Sequence, residues 1–129
     1  MRGEFTETNL LRLAKSFKNP RLVVAMEFPL RVVEISDGLP NVIKLRDGVE
    51  VTVELPLEKI GVKLRVGDQV KLVIHKEKDS DLTKYKIYAW GVVYFVGKDM
   101  TRISIGGLQL DIGTELPLKV GEKVYIGIL

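Results

Sequence analysis

The chain contains no cysteine. That excludes disulfides, thiolate zinc sites and cysteine nucleophiles together. Histidine is scarce too, with His75 the single one among 129 residues. A catalytic or metal-bound histidine comes with carboxylates or further ligands at a defined spacing. His75 instead lies beside Lys76 on the polar side of a predicted strand, and reads as a solvated residue. No apolar run approaches the ~20 residues of a bilayer-spanning helix, so no membrane association is expected. Residues 1–10 carry Glu4 and Glu7 and lack the apolar stretch of a signal peptide. The expected location is cytoplasmic.

Charge of one sign is also missing. The formal net charge is +3 and the pI about 9.1, but acids sit among the bases almost everywhere, as in Lys76-Glu77-Lys78-Asp79. A dedicated nucleic-acid binder concentrates Lys and Arg on one face. Mild basicity therefore permits nucleic-acid contact without arguing for it. With 46% hydrophobic and 29% charged residues, the length suits one domain around one core.

Residues 1–20 differ from the rest. Leu10, Leu13 or Ala14, and Phe17 recur at helical spacing, Thr6 or Thr8 suits an N-cap, and Asn19-Pro20 stops the pattern. A short N-terminal helix or arm is expected there, with a single β-barrel domain over 21–129. From Arg21 the period falls to two. Leu22 to Phe28 and Leu30 to Ile35 read as strands broken by Pro29. Val49, Val51, Val53 and Leu55 alternate with Glu50, Thr52 and Glu54, inward against outward. A three-residue loop, Arg46-Asp47-Gly48, would pair Leu45 with Val49, Lys44 with Glu50 and Ile43 with Val51. It predicts a type I turn plus a bulge with Gly48 left-handed. Residues 56–61 form a connection with room for a helical turn. Val70, Leu72 and Ile74 share one face of the next strand, and 76–84 is a charged loop. Residues 85–96 read as a long strand buried on both faces around Trp90-Gly91-Val92-Val93-Tyr94-Phe95.

After Gly97-Lys98-Asp99 turns the chain, Ile103 and Ile105 point inward, and then Leu108, Leu110 and Ile112. The phase slips at Gly106-Gly107, and a β-bulge there would restore a common face. Leu64-Arg65-Val66-Gly67-Asp68-Gln69-Val70 echoes Leu118-Lys119-Val120-Gly121-Glu122-Lys123-Val124, and Glu54-Leu55-Pro56-Leu57 echoes Glu115-Leu116-Pro117-Leu118. These read as two similar turns feeding strands. About eight short strands argue for an all-β, antiparallel, closed or nearly closed barrel.

No catalytic site assembles from these residues. Asp79 and Asp81 flank Ser80 without a calcium-loop pattern and read as a solvated turn. Ser104 has no base and no nucleophile elbow. Gly106-Gly107 lacks the spacing of a phosphate loop. No cofactor and no metal is expected. Tyr85, Tyr88, Trp90, Tyr94 and Phe95, with Lys84, Lys86 and Lys98, would serve base stacking on a small barrel. Trp90 and Tyr94 share a face with Val92 between them, which favours core or interface residues.

Ala89-Trp90-Gly91-Val92-Val93-Tyr94, then Ile103-Ser104-Ile105-Gly106-Gly107-Leu108-Gln109-Leu110, then Val124-Tyr125-Ile126-Gly127-Ile128 resembles the eighth subunit shared by eukaryotic and archaeal RNA polymerases. That family carries an aromatic-Gly-x-x-Tyr strand, a Ser-aromatic-Gly-Gly-Leu-Leu motif and a Tyr-rich last strand. Trp90 stands for its usual tyrosine; Gly91, Tyr94, Ser104, Gly106, Gly107 and Leu108 match directly. The likeness covers roughly the last 45 residues. Ile105 replaces a phenylalanine, Asp111 stands where eukaryotic members carry arginine, and their terminal arginine pair and long acidic loop have no counterpart. These departures fit an archaeal-type member.

The resemblance implies an oligonucleotide-binding-like barrel docked on the largest polymerase subunit, away from the catalytic magnesium, with a role in assembly and stability. Trp90, Gly91, Tyr94, Ser104, Gly106, Gly107 and Leu108 would then meet the partner, and nucleic acid would be touched only indirectly or weakly. A free-standing single-strand nucleic-acid-binding barrel is the alternative.

Overall fold

Short alternating segments with glycine turns leave each strand one apolar face, and eight such faces are buried by closing on one another. The computed structural model describes residues 25–129. The arm expected at 1–20 and the first residues of the first expected strand lie outside them. The strands are β1 (Ala25–Ser36), β2 (Asn41–Arg46), β3 (Glu50–Leu55), β4 (Gln69–His75), β5 (Ile87–Gly97), β6 (Met100–Ile105), β7 (Leu108–Ile112) and β8 (Lys123–Ile128). A one-turn helix, α1 (Leu57–Ile60), follows β3. Every neighbouring pair is antiparallel, and the order β1-β2-β3-β7-β6-β5-β8-β4 closes into a barrel. The all-β barrel expected from the sequence is the fold. Among the described residues no helix is long and apolar enough to cross a membrane.

Inside the barrel Phe28, Val32, Ile43, Val51, Ile74, Val93, Ile103, Leu110, Ile112 and Val124 are almost fully buried. Burying each such side chain is worth about 1.5–3 kcal/mol. Thr101 is the one buried polar residue among those described. Its hydroxyl donates to the Thr114 carbonyl at 2.9 Å and accepts from the Leu116 N–H at 3.0 Å. That ties the β7–β8 connection to the barrel interior.

The echo between the Gly67 and Gly121 segments extends to the whole barrel. In both turns the glycine is left-handed, at φ 99° and 94°. The Gly67 N–H donates to the Val32 carbonyl at 2.8 Å, and Val32 N–H to the Asp68 carbonyl at 2.9 Å. Gly121, Val93 and Glu122 repeat this at 2.7 and 2.9 Å. The acid after each glycine accepts from the backbone three residues earlier, Asp68 from Arg65 and Glu122 from Lys119. Both first strands carry a bulge just past that valine, at Val33 and at Tyr94. Exchanging β1–β4 with β5–β8 reproduces the strand order, so the barrel has an internal pseudo-two-fold. The axis passes through the Thr52–Asp111 and Val73–Gly127 pairs, one on each seam between the halves.

Four expectations are corrected. Pro29 does not break β1; it lies in the strand opposite Lys71. The Lys71 backbone exchanges its hydrogen bonds with Leu129 on the other side, so Pro29 has no donor to supply. The β2–β3 hairpin pairs Arg46 with Glu50 and Leu45 with Val51, so the loop is Asp47-Gly48-Val49. Gly48 is left-handed as expected, at φ 79°, and the one-residue offset on each strand leaves every face unchanged. Gly106-Gly107 is no bulge: it is the two-residue turn of the β6–β7 hairpin, with Ile105 opposite Leu108. Both glycines have positive φ, 57° and 94°, the requirement of a type I′ turn. Finally, β5 begins at Ile87 and is buried on one face only.

Candidate docking surface

Along β5 the side chains alternate until the bulge. Gly91 and Val93 are buried, while Trp90, Tyr94 and Phe95 stand 55%, 43% and 47% exposed. Trp90 and Tyr94 are therefore not core residues. The bulge at Tyr94 turns Phe95 outward, opposite Arg102. Three exposed aromatics thus come from one strand.

The neighbouring strands complete the surface. Tyr125 of β8 pairs with Trp90, and His75 of β4 pairs with Tyr125. Tyr88 stacks on Tyr125 with centroids 6.2 Å apart and planes within 12°. The Lys123 ammonium lies 4.5 Å from the Trp90 ring centre and 5.3 Å from that of Tyr125. On the far side Arg102 sits 5.8 Å from the Phe95 ring and faces Asp111 at 3.7 Å.

Of the residues singled out by the β5 and Gly-Gly motifs, Trp90 and Tyr94 reach solvent on this face. Gly91 does not: a Cβ there would stand 2.7 Å from the Ser104 carbonyl and 2.8 Å from Ile103. Here β6 packs directly over the β5 backbone with no room for a side chain, a scaffold role. Gly106 and Gly107 form the exposed hairpin tip, with open space around both. Ser104 and Leu108 are half-buried at its base. Continuing the β5–β6 register past the Val92–Ser104 pair sets Trp90 level with Gly106, while Tyr94 stands four residues further along β5, beside Arg102.

The loop between β4 and β5 is built rather than simply solvated. The Tyr85 hydroxyl donates to Asp79 at 2.6 Å and accepts from His75 Nε2–H at 3.2 Å. The Asp79 N–H donates to the Tyr88 hydroxyl at 2.8 Å, and Lys84 pairs with the Asp79 carboxylate at 3.0 Å. Hydrogen bonds from Tyr85 and from the Asp81 backbone hold the Asp79 carboxyl well below the usual carboxylate range. Burial, then the Asp79 hydrogen bond, pushes the Tyr85 phenol up. Burial also lowers His75, with Asp79 opposing. His75 is thus a half-buried donor in a network. The Tyr85 and Tyr88 rings lie over Gly127, where a Cβ would collide with them. Nothing in the sequence pattern signalled this network, because its members meet only when β4, β5 and β8 lie side by side.

Among the described residues no three His, Asp or Glu side chains gather as a metal site. No protein-family model matches this sequence, and no curated protein matches it.

Proposed function

We propose that the chain is a non-catalytic subunit of a DNA-directed RNA polymerase, docked on the largest subunit through the β5 face and the β6–β7 hairpin, and serving assembly and stability. The observation that carries this reading is the exposure of Trp90 and Tyr94 on the outer face of β5, with Trp90 level with the exposed Gly106-Gly107 tip. These are the positions at which the sequence resembles the eighth polymerase subunit. Exposed Trp, Tyr and Phe on a rigid strand are the composition of an interface core. Every described strand has a neighbour on both sides, with only overhangs such as residues 87–91 of β5 left unpaired on one side, so a partner would be gripped mainly by side chains and the hairpin tip.

The test is co-purification of the tagged chain from its own cells, with the large polymerase subunits expected in stoichiometric yield. Gly107→Glu should weaken that association while leaving the barrel folded. Its left-handed φ of 94° strains any side chain, so Gly107→Asn serves as control, because Asn tolerates this region. Loss of polymerase with Glu but not with Asn supports docking at the tip; normal recovery with Glu removes it.

Exposed Trp90, Tyr94 and Phe95 on a barrel that also carries Lys86 and Lys98 favour a second reading, a free-standing single-strand nucleic-acid-binding barrel. It requires oligonucleotide binding at micromolar or tighter affinity, with quenching of Trp90 fluorescence.

A further inference from the structure

The pseudo-two-fold supplies an internal control for the β5–β8 face. The Val32–Leu45 and Val93–Ile103 pairs set the equivalence. Pro29 then corresponds to Trp90, Val33 to Tyr94 and Glu34 to Phe95. In the same way the Pro29–Lys71 pair corresponds to Trp90–Tyr125. The same backbone positions are filled once by small or charged side chains and once by aromatics. The barrel therefore does not require the aromatics, and their exposure is a cost to a free chain in water.

Charge is distributed unevenly in the same sense. On the first half Lys44 faces Glu34, Arg46 faces Glu50 and Lys71 faces Glu27. On the second, Arg102 faces Asp111. Lys123, like Arg31, Lys86 and Lys98, has no carboxylate within ion-pair reach among the described residues, but it alone of these rests its ammonium against two rings, those of Trp90 and Tyr125.

We infer that this face receives an acidic segment of a protein partner, with a carboxylate seated on Lys123 and the surrounding rings excluding water. The inference rests on the polymerase reading, in which that partner is the largest subunit. A cation on aromatic faces, freed of water by the docked segment, attracts a carboxylate far more strongly than an exposed lysine does. Nucleic acid fits less well. Tyr88 and Tyr125 stack on each other, Lys123 lies over Trp90 and Arg102 over Phe95, so among the described residues Tyr94 is the one exposed ring of this face with no neighbouring ring or cation. Nearby Lys76, Lys84 and Arg102 are already tied to Glu122, Asp79 and Asp111, so a phosphate chain would depend on Lys86 and Lys98, which have no ion pair among the described residues.

The test reconstitutes the full chain with the purified largest subunit and measures affinity for Lys123→Glu, Lys123→Arg and Phe95→Glu. Phe95→Glu copies Glu34 and would face Arg102 as Glu34 faces Lys44. Lys123→Glu should weaken binding about tenfold or more, Lys123→Arg should retain it, and higher salt should weaken the wild-type complex. Phe95→Glu should weaken binding while the thermal midpoint of the free chain stays put. Wild-type binding with no loss for Lys123→Glu would overturn this inference and leave the hairpin as the docking site. No wild-type binding would overturn the polymerase reading itself. Displacement of the subunit by a single-stranded oligonucleotide, or a dimer of the chain that Lys123→Glu dissolves, would also overturn it by naming a different occupant.

Discussion

Gly91 shows how a motif residue and an interface residue come apart. The sequence places it between Trp90 and Tyr94, within the stretch that resembles a docking motif. The fold turns it inward, under the Ser104 carbonyl and the Ile103 side chain. Gly91→Ala would force β6 away from β5 and is expected to destabilise the barrel by about 1–3 kcal/mol. Denaturant unfolding of the free chain measures this directly. A variant as stable as wild type would mean that β6 yields without cost. Any loss of partner binding in this variant should follow the loss of fold, unlike that of Lys123→Glu.

The loop between β4 and β5 is the element with its own chemistry. His75 is held below its ordinary 6.5 chiefly by burial, so the folded state binds fewer protons than the unfolded chain below that value. Stability therefore falls as pH drops from about 6.5 through the lowered folded value. Asp79, lowered from 3.8 by its hydrogen bond from Tyr85, contributes stability above 3.8 that is lost on further acidification. Thermal midpoints should decline in two stages from pH 7 downward. His75→Gln should flatten the first stage, and Asp79→Asn should reduce the second, to which Asp81, lowered by its hydrogen bonds from Thr83, also contributes. A wild-type midpoint unchanged between pH 7 and 5 would remove His75 from the account. The same loop lays Tyr85 and Tyr88 over Gly127, so it also holds the edge of the aromatic face in place.

The two halves of the barrel are joined by the β3–β7 and β4–β8 seams. Taken alone, residues 25–75 would expose both of their outer strands as unpaired edges. Such a fragment is expected to be unfolded or to dimerise, two copies closing the seams at the Thr52 and Val73 positions. Circular dichroism with sedimentation velocity distinguishes these outcomes. A folded monomer of this fragment would show that each half is a domain, against the shared core seen here. Each of the six ion pairs between described residues has at least one exposed member and adds little to this closure, which rests on apolar burial.

Alternation in 49–55, the inward series Val70, Leu72 and Ile74, and the spacing of turn glycines were enough to specify an all-β barrel. Each of these is a local pattern whose meaning does not depend on a distant residue. Even Gly106-Gly107 was legible as a change of phase, although bulge and two-residue hairpin both restore the inward face, and only the pairing of Ile105 with Leu108 separates them. Pro29 could stay in β1 because Leu129, far along the chain, satisfies Lys71. The exposure of Trp90 and Phe95 likewise was settled in three dimensions, since an apolar run reads as buried until the bulge at Tyr94 and the neighbours of β5 are known. The aromatic and cationic face joins β4, β5, β6 and β8, and no period within one strand encodes what the next strand places beside it. Local patterning determined which side of each strand is apolar; closure of the barrel decided which of those side chains water still reaches.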